Sequence, residues 1–183
     1  MFRLNRNIQK NGSLRTLRRG ECKMSKDKFP ITPAIRMLRE NQVDFIEHPY
    51  KYEEGGGTEV AARELGVDER LVIKTLVMED DQKAPFIVLM HGDKQVSTKE
   101  LAREIGAKSV HPCDPQAAFK HTGYIVGGIS PFGTKKHLPV YVEETILSLP
   151  RIYINAGRKG LLFKISPADL INVLKPKPVR VAR

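Results

Sequence analysis

Two spacings of apolar residues alternate along the chain, and each marks its own kind of element. Ile35 and Leu38 give one apolar face to a helix that Thr32 caps and Pro33 opens, ending near Asn41. Val43 to His48 alternates as a strand does. Beyond Gly55-Gly56-Gly57, Thr58 is expected to cap a helix bearing Val60, Ala61 and Leu65, closed by Gly66. Leu71 to Met78 and Pro85 to His91 read as neighbouring strands joined by the polar turn Glu79-Asp80-Asp81-Gln82. Ser97-Thr98-Lys99-Glu100 is a capping box for a helix that runs to Gly106. Asp114-Pro115 opens a short helix ended by Gly123, and Tyr124 to Val126 reads as a short strand. Leu138–Val142, Arg151–Asn155 and Leu161–Ile165 are further strands, and Ser166-Pro167-Ala168-Asp169 starts a last helix through Leu174.

Helices and strands mix here without a regular βα repeat, and short turns join several strands. That pattern predicts an α+β domain with a mixed sheet rather than a doubly wound parallel one. The expected layout is a basic, disordered extension over 1–29, a folded domain over 30–175, and a basic tail over 176–183 that holds two prolines.

Charge sharpens the first boundary. The chain of 183 residues carries +10. Residues 1–28 hold nine Lys and Arg against two acids, or +7, which leaves 22 basic and 19 acidic residues, or +3, for the rest. The basic character thus sits mostly at the start, which fits a nucleic-acid-binding arm, a targeting peptide, or a mis-assigned start with Met24 as the true first residue. No segment is long and apolar enough to span a membrane. Cys22 and Cys113 make no disulfide framework, which fits a reducing compartment, and the histidines are scattered without metal spacing. No GxSxG, HExxH, phosphate-loop or dinucleotide motif is present.

Three features carry possible chemistry. The heptapeptide Gly127-Gly128-Ile129-Ser130-Pro131-Phe132-Gly133 places two adjacent glycines, whose amides no side chain covers, beside a hydroxyl. It is either a site that holds an oxygen or a tight bend at a sheet corner. Lys74 interrupts the apolar run from Leu71 to Met78, sharing a strand face with Val72, Leu76 and Met78. It either guards a sheet edge against aggregation or meets an anion or polarised carbonyl. The loop Asn155-Ala156-Gly157-Arg158-Lys159-Gly160 is either a hairpin turn with solvated charges or a pocket wall near a nucleic-acid backbone. Tyr50, closing His48-Pro49-Tyr50, is either a core residue with its hydroxyl at the rim or a ligand contact.

In order, Thr32-Pro33-Ala34, His48-Pro49-Tyr50, Lys74-Thr75-Leu76, Gly123-Tyr124 running into GGISPFG, and the AGRKG loop at 156–160 make a set. The set resembles the YbaK/EbsC group of Cys-tRNA(Pro) deacylases, relatives of the editing domain inserted in some bacterial prolyl-tRNA synthetases, over roughly residues 30 to 175. The resemblance implies a mixed, barrel-like β-sheet flanked by helices, no cofactor and no metal, and a cytoplasmic enzyme. Its partners would be aminoacyl-tRNA, tRNA(Pro) in particular, and prolyl-tRNA synthetase, with no membrane and no DNA. It assigns Lys74 to the 3′-terminal phosphate or ribose, and Gly127 and Gly128 to the aminoacyl carbonyl. Tyr50, Ser130, Asn155 and Gly157 become substrate-binding residues. Asn155 stands where some relatives have serine, and Leu162 where some carry a carboxylate. The reaction implied is attack by the substrate cysteine's own thiol on its ester, with water attack, or another misacylated tRNA, as the alternative. A non-catalytic RNA-binding module is the rival from a different class.

Overall fold

Four of the five helices described begin where a side chain accepts from a free first-turn amide. The computed structural model describes residues 30–183, so the segment 1–29, with Met24 and Cys22, lies outside the described residues. Thr32 caps α1 (Pro33–Glu40), Ser97 caps α3 (Thr98–Ile105), Asp114 caps α4 (Pro115–Thr122) and Ser166 caps α5 (Pro167–Leu174). The expected capping box at α3 forms only half. Ser97 Oγ accepts from the Glu100 amide, but the Ser97 N–H goes to the Val181 carbonyl and Glu100 turns to Arg103.

The fifth helix, α2 (Gly57–Leu65), begins at Gly56 with no side-chain cap. Thr58 lies inside it, because its hydroxyl donates instead to Glu69 Oε1 at 2.7 Å and to the Gly92 carbonyl at 3.2 Å.

Eight strands form one mixed sheet: β1 (Ile46–Pro49), β2 (Val72–Asp80), β3 (Pro85–His91), β4 (Val110–Pro112), β5 (Val140–Glu143), β6 (Ile152–Asn155), β7 (Leu161–Ile165) and β8 (Lys177–Val179). Their order is β1-β7-β6-β2-β3-β5-β8, with β4 added on β2. The pairs β2–β6, β3–β5 and β5–β8 are parallel and the others antiparallel. This is the α+β architecture that the alternating spacings predict.

Strand β3 is apolar at nearly every position because both of its faces are covered. Ile87 and Leu89 join Ile35, Leu38, Phe132 and Phe163 in the main core. Phe86, Val88 and Met90 join Leu101, Val110 and Val179 in a second core under α3. Fully burying each such side chain is worth about 1.5–3 kcal/mol.

Two further sequence expectations fail. Tyr124 to Val126 is a turn, not a strand: the Gly128 N–H donates to the Ile125 carbonyl at 2.9 Å, and Ile125 and Val126 are exposed. The C-terminal residues are not a tail. Strand β8 pairs with β5, Ala182 bridges to Val96, and Val179 and Val181 are buried. Their alternate spacing is the strand period, masked in the sequence by basic neighbours and prolines.

Strand β2 is interior, so Lys74 does not guard a sheet edge. One side of β2 pairs with β3 from Ile73 to Glu79. The other side pairs with β6 at Val72 and Ile73 and with β4 from Met78 onward. Between them, at Lys74, Thr75 and Leu76, the sheet is open. The Val77 carbonyl accepts from the Cys113 N–H at 3.0 Å on this side. Strand alternation therefore turns the Thr75 N–H and C=O into the opening as well.

Candidate active site

The opening in the sheet is flanked by a cavity of about 540 Å³ at its β6 end, lined by Lys74, Thr75, Asn155, Tyr50 and Gly127 among others. Each element delivers its residue for a local reason. Lys74 and Thr75 sit where β2 lacks a partner, and Asn155 ends β6, which runs parallel to β2 there. Tyr50 follows β1 and is fixed by its N–H to the Gly160 carbonyl, 3.0 Å away. Gly127 stands at the third position of the turn Ile125–Gly128 with φ +89°, a type II geometry that favours glycine.

Lys74 is half-buried, and its Nζ donates to the Lys94 carbonyl at 2.9 Å. Thr75 Oγ1 and Asn155 Oδ1 are buried without a hydrogen-bond partner among the described residues. Such atoms cost about 1–3 kcal/mol each unless a ligand or water satisfies them. Burial raises the Tyr50 phenol above its usual pKa, with a Gly160 backbone hydrogen bond pulling the other way. The phenol is therefore a neutral hydrogen-bonding group at neutral pH.

The structure brings Lys74, Tyr50, Asn155 and Gly127 to one cavity and sets Gly128, Ser130 and Gly157 behind it. The Gly128 N–H is occupied within the turn. A Cβ on Gly128 would lie 2.7 Å from the Arg158 carbonyl carbon and the Lys159 nitrogen, so this glycine lets the two loops touch. Ser130 is fully buried and its Oγ accepts from the Phe132 N–H at 3.3 Å, which makes it a brace within the loop. A Cβ on Gly157 would fall 2.7 Å from the Tyr124 ring. The Tyr124 hydroxyl in turn donates to the Phe132 carbonyl at 2.8 Å. Thr32 Oγ1 donates to the Ala156 carbonyl at 2.6 Å, so the caps and loops read separately in the sequence form one clamped unit.

Sequence reasoning did not single out Tyr52, Glu54 or Thr75. At the cavity mouth, Lys159 Nζ pairs with Glu54 at 2.9 Å and lies 4.8 Å from the Tyr52 ring centroid. The Lys159 hydrogen bond and charge hold the Glu54 carboxyl below its ordinary value. Leu162, opposite Asn155 on β7, gives an apolar wall. No serine, cysteine or histidine is among the lining residues, and their single carboxylate is the exposed Glu54. Among the described residues, no three His, Cys, Asp or Glu side chains gather as a metal site.

The sequence and the fold have known counterparts. The aminoacyl-tRNA editing domain family matches residues 53–173. A relative from Enterococcus faecalis, provisionally named Cys-tRNA(Pro)/Cys-tRNA(Cys) deacylase EbsC, is 29% identical over 143 residues, 78% of this chain and 87% of the relative. The proline–tRNA ligase of Lactobacillus acidophilus is 29% identical over 100 residues, 55% of this chain, and the match spans only 17% of the ligase. Among solved structures, the hypothetical protein APE2540 superposes with TM-score 0.76 at 23% identity, covering 83% of this chain and 100% of its own. A protein described provisionally as a trans-editing enzyme for prolyl tRNA synthetase superposes with TM-score 0.71 at 20% identity, covering 84% and 99%. At those identities the two superpositions speak for the fold, while the family match spans most of the described residues. The chain belongs to the aminoacyl-tRNA editing domain family.

Proposed function

We propose that this protein is a cytoplasmic enzyme that edits in trans, removing cysteine from mischarged Cys-tRNA(Pro) and acting beside prolyl-tRNA synthetase. The E. faecalis relative, by its name, supports the substrate. The observation that carries the chemistry is the composition of the cavity. It joins a lysine, two unpartnered polar atoms and a glycine turn, and it offers no serine, cysteine or histidine as nucleophile.

A cysteinyl ester brings its own nucleophile. A free thiol is partly ionised near neutral pH and strongly nucleophilic. Its sulfur attacks the ester carbonyl, a C–S bond forms, and the carbonyl oxygen becomes an oxyanion. Collapse breaks the C–O bond to the ribose, whose oxygen takes up a proton, and cysteine leaves as a thiolactone. The protein needs to hold the ester and stabilise the oxyanion.

In this reading Lys74 binds the terminal phosphate or ribose, and the Gly127 side of the loop faces the carbonyl. Gly128 and Ser130 shape the loop, while Asn155 and Tyr50 orient the aminoacyl group. Proline and cysteine differ so little in size that a synthetase gains only about 1–3 kcal/mol of discrimination from a pocket, which leaves a task for a second enzyme.

The test is a deacylation panel across Cys-, Ala-, Ser- and Pro-tRNA(Pro). Cysteine should be released at least 10-fold faster than serine or alanine, and Lys74→Ala should lose about 100-fold or more of that rate while staying folded. Fast release of serine or alanine would point to water attack, and no release at all would favour an RNA-binding module.

A further inference from the structure

A second cavity, of about 470 Å³, lies at the other, β4 end of the opening in the sheet. It shares Lys74, Thr75, Leu76, Val126 and Ile129 with the first. Beyond these its walls are largely apolar, with Met78, Val96, Pro112 and Cys113 among them, and Gln95 and Thr98 add polar side chains. The two cavities thus meet along three residues of one strand.

We infer that this second cavity receives the 3′-terminal adenine of the aminoacyl-tRNA. The inference rests on the deacylase reading above. An aminoacyl ester has two arms, the amino acid on the carbonyl side and the ribose with its base on the alkoxy side. An ester held between Lys74 and the Gly127 turn must lodge both arms, and beyond the shared residues Lys74, Thr75 and Leu76 the second cavity extends toward β4, away from that turn. The apolar walls suit the face of a base, and pockets of this size commonly bury small ligands.

The strand supplies the base edge. The Thr75 N–H and C=O both point into the opening, a donor and an acceptor side by side. Adenine presents the complement on its Watson–Crick edge, with N1 accepting and the N6 amino group donating. Exposed Val126 lines both cavities and so gives apolar cover at their junction, while exposed Ile125 lines the first alone. Exposed Lys94, on the rim of the second cavity, is placed for the adjoining phosphate.

The experiment compares two small substrates, 3′-O-cysteinyladenosine and cysteine methyl ester, in the wild type and in Cys113→Phe and Val96→Phe. Both substituted positions line the second cavity only. The adenosyl ester should be cleaved with about 100-fold higher kcat/KM by the wild type, and both variants should lose most of that advantage while keeping methyl ester cleavage. An equal rate for the two esters in the wild type, or an advantage untouched by both variants, overturns the inference. Binding of adenosine monophosphate, followed by its protection of Cys113 from iodoacetamide at pH 9 in a Cys22→Ser background, requires neither cleavage nor a filled cavity. Protection supports the second chamber even if neither ester is cleaved, an outcome that would instead sink the deacylase reading. An unchanged alkylation rate at saturating nucleotide overturns the inference.

Discussion

The Lys74 ammonium is held by the backbone carbonyl of Lys94, 2.9 Å away and twenty residues along the chain. That carbonyl belongs to a segment fixed by the C-terminal residues. Gln95 and Arg183 exchange backbone hydrogen bonds at 3.1 and 3.0 Å, and the Ser97 N–H reaches the Val181 carbonyl at 2.8 Å. The buried Glu143 carboxylate accepts from the Val181 and Ala182 amides at 2.8 and 2.9 Å. The lysine is therefore located through three successive backbone contacts that end on one buried carboxylate.

Glu143→Gln should loosen this chain of contacts. Both amides bind Oε2, so Gln can still accept there, but the acceptor loses its charge and an NH2 replaces the Oε1 that accepts from the Thr145 hydroxyl, a loss of about 1–3 kcal/mol. We expect a lower urea midpoint and a deacylation rate reduced about 10-fold. A variant as active as the wild type, yet with faster hydrogen exchange at Val181 and Ala182, would refute the link to Lys74.

The adjacent glycines should respond differently to alanine. Gly127→Ala places a side chain at φ +89°, a strain of about 1–2 kcal/mol, against the movable ends of Tyr52 and Lys159. Gly128→Ala drives a Cβ into the backbone of Arg158 and Lys159, and overpacking of that kind costs about 1–3 kcal/mol because backbone must shift. Denaturant titration should rank Gly128→Ala as at least as destabilised as Gly127→Ala, with both slow in deacylation. A fully stable Gly128→Ala would show that the loops do not depend on their contact.

Acid should weaken the fold through two histidines. Burial lowers the pKa of His48, helped by Lys164, and burial with Lys136 and Lys120 lowers that of His121. His48 Nε2 and His121 Nδ1 are buried without hydrogen-bond partners among the described residues. The unfolded chain then takes up protons first as pH falls, so this contribution is complete above the ordinary value of 6.5 and is lost below it. Urea midpoints should drop between pH 7.5 and pH 5.5, and His48→Phe, which keeps an aromatic ring against Tyr153, should shrink the drop. An unchanged difference in that variant would remove His48 from the account.

Cys113 should be a sluggish thiol. Burial first, then the Glu79 carboxylate, pushes its pKa up to about 11 from 9.0. At pH 8 its thiolate is then about 100-fold scarcer than that of an ordinary cysteine, and alkylation should slow in proportion. The fold favours the neutral thiol, so this contribution to stability is present below pH 9 and fades above it. Alkylation kinetics in Cys22→Ser, with Glu79→Gln expected to be faster, provide the check.

Much of the fold was legible because local chemistry decided it. Thr32, Ser97, Asp114 and Ser166 all cap helices as their spacing predicts. Thr58 misleads because its hydroxyl finds Glu69, a partner eleven residues away that spacing does not reveal. Ile125 and Val126 resemble a strand but are apolar because they line cavities. Within the site, Lys74 and the glycine loop stand out as violations of local pattern. The meeting of Thr75 and Asn155 in one cavity does not, since it depends on β6 lying parallel to β2 across the sheet. Nor could spacing show that Gly128, Ser130 and Gly157 brace the site from behind, because their neighbours come from distant loops.

The contact of Gly128 with the Arg158–Lys159 peptide has a consequence for inheritance. Neither loop can lengthen, or exchange its glycine for a larger residue, without an answering change in the other. The two segments should drift through evolution as a locked pair, and a GGISPFG heptapeptide transplanted alone into another scaffold should lose its shape.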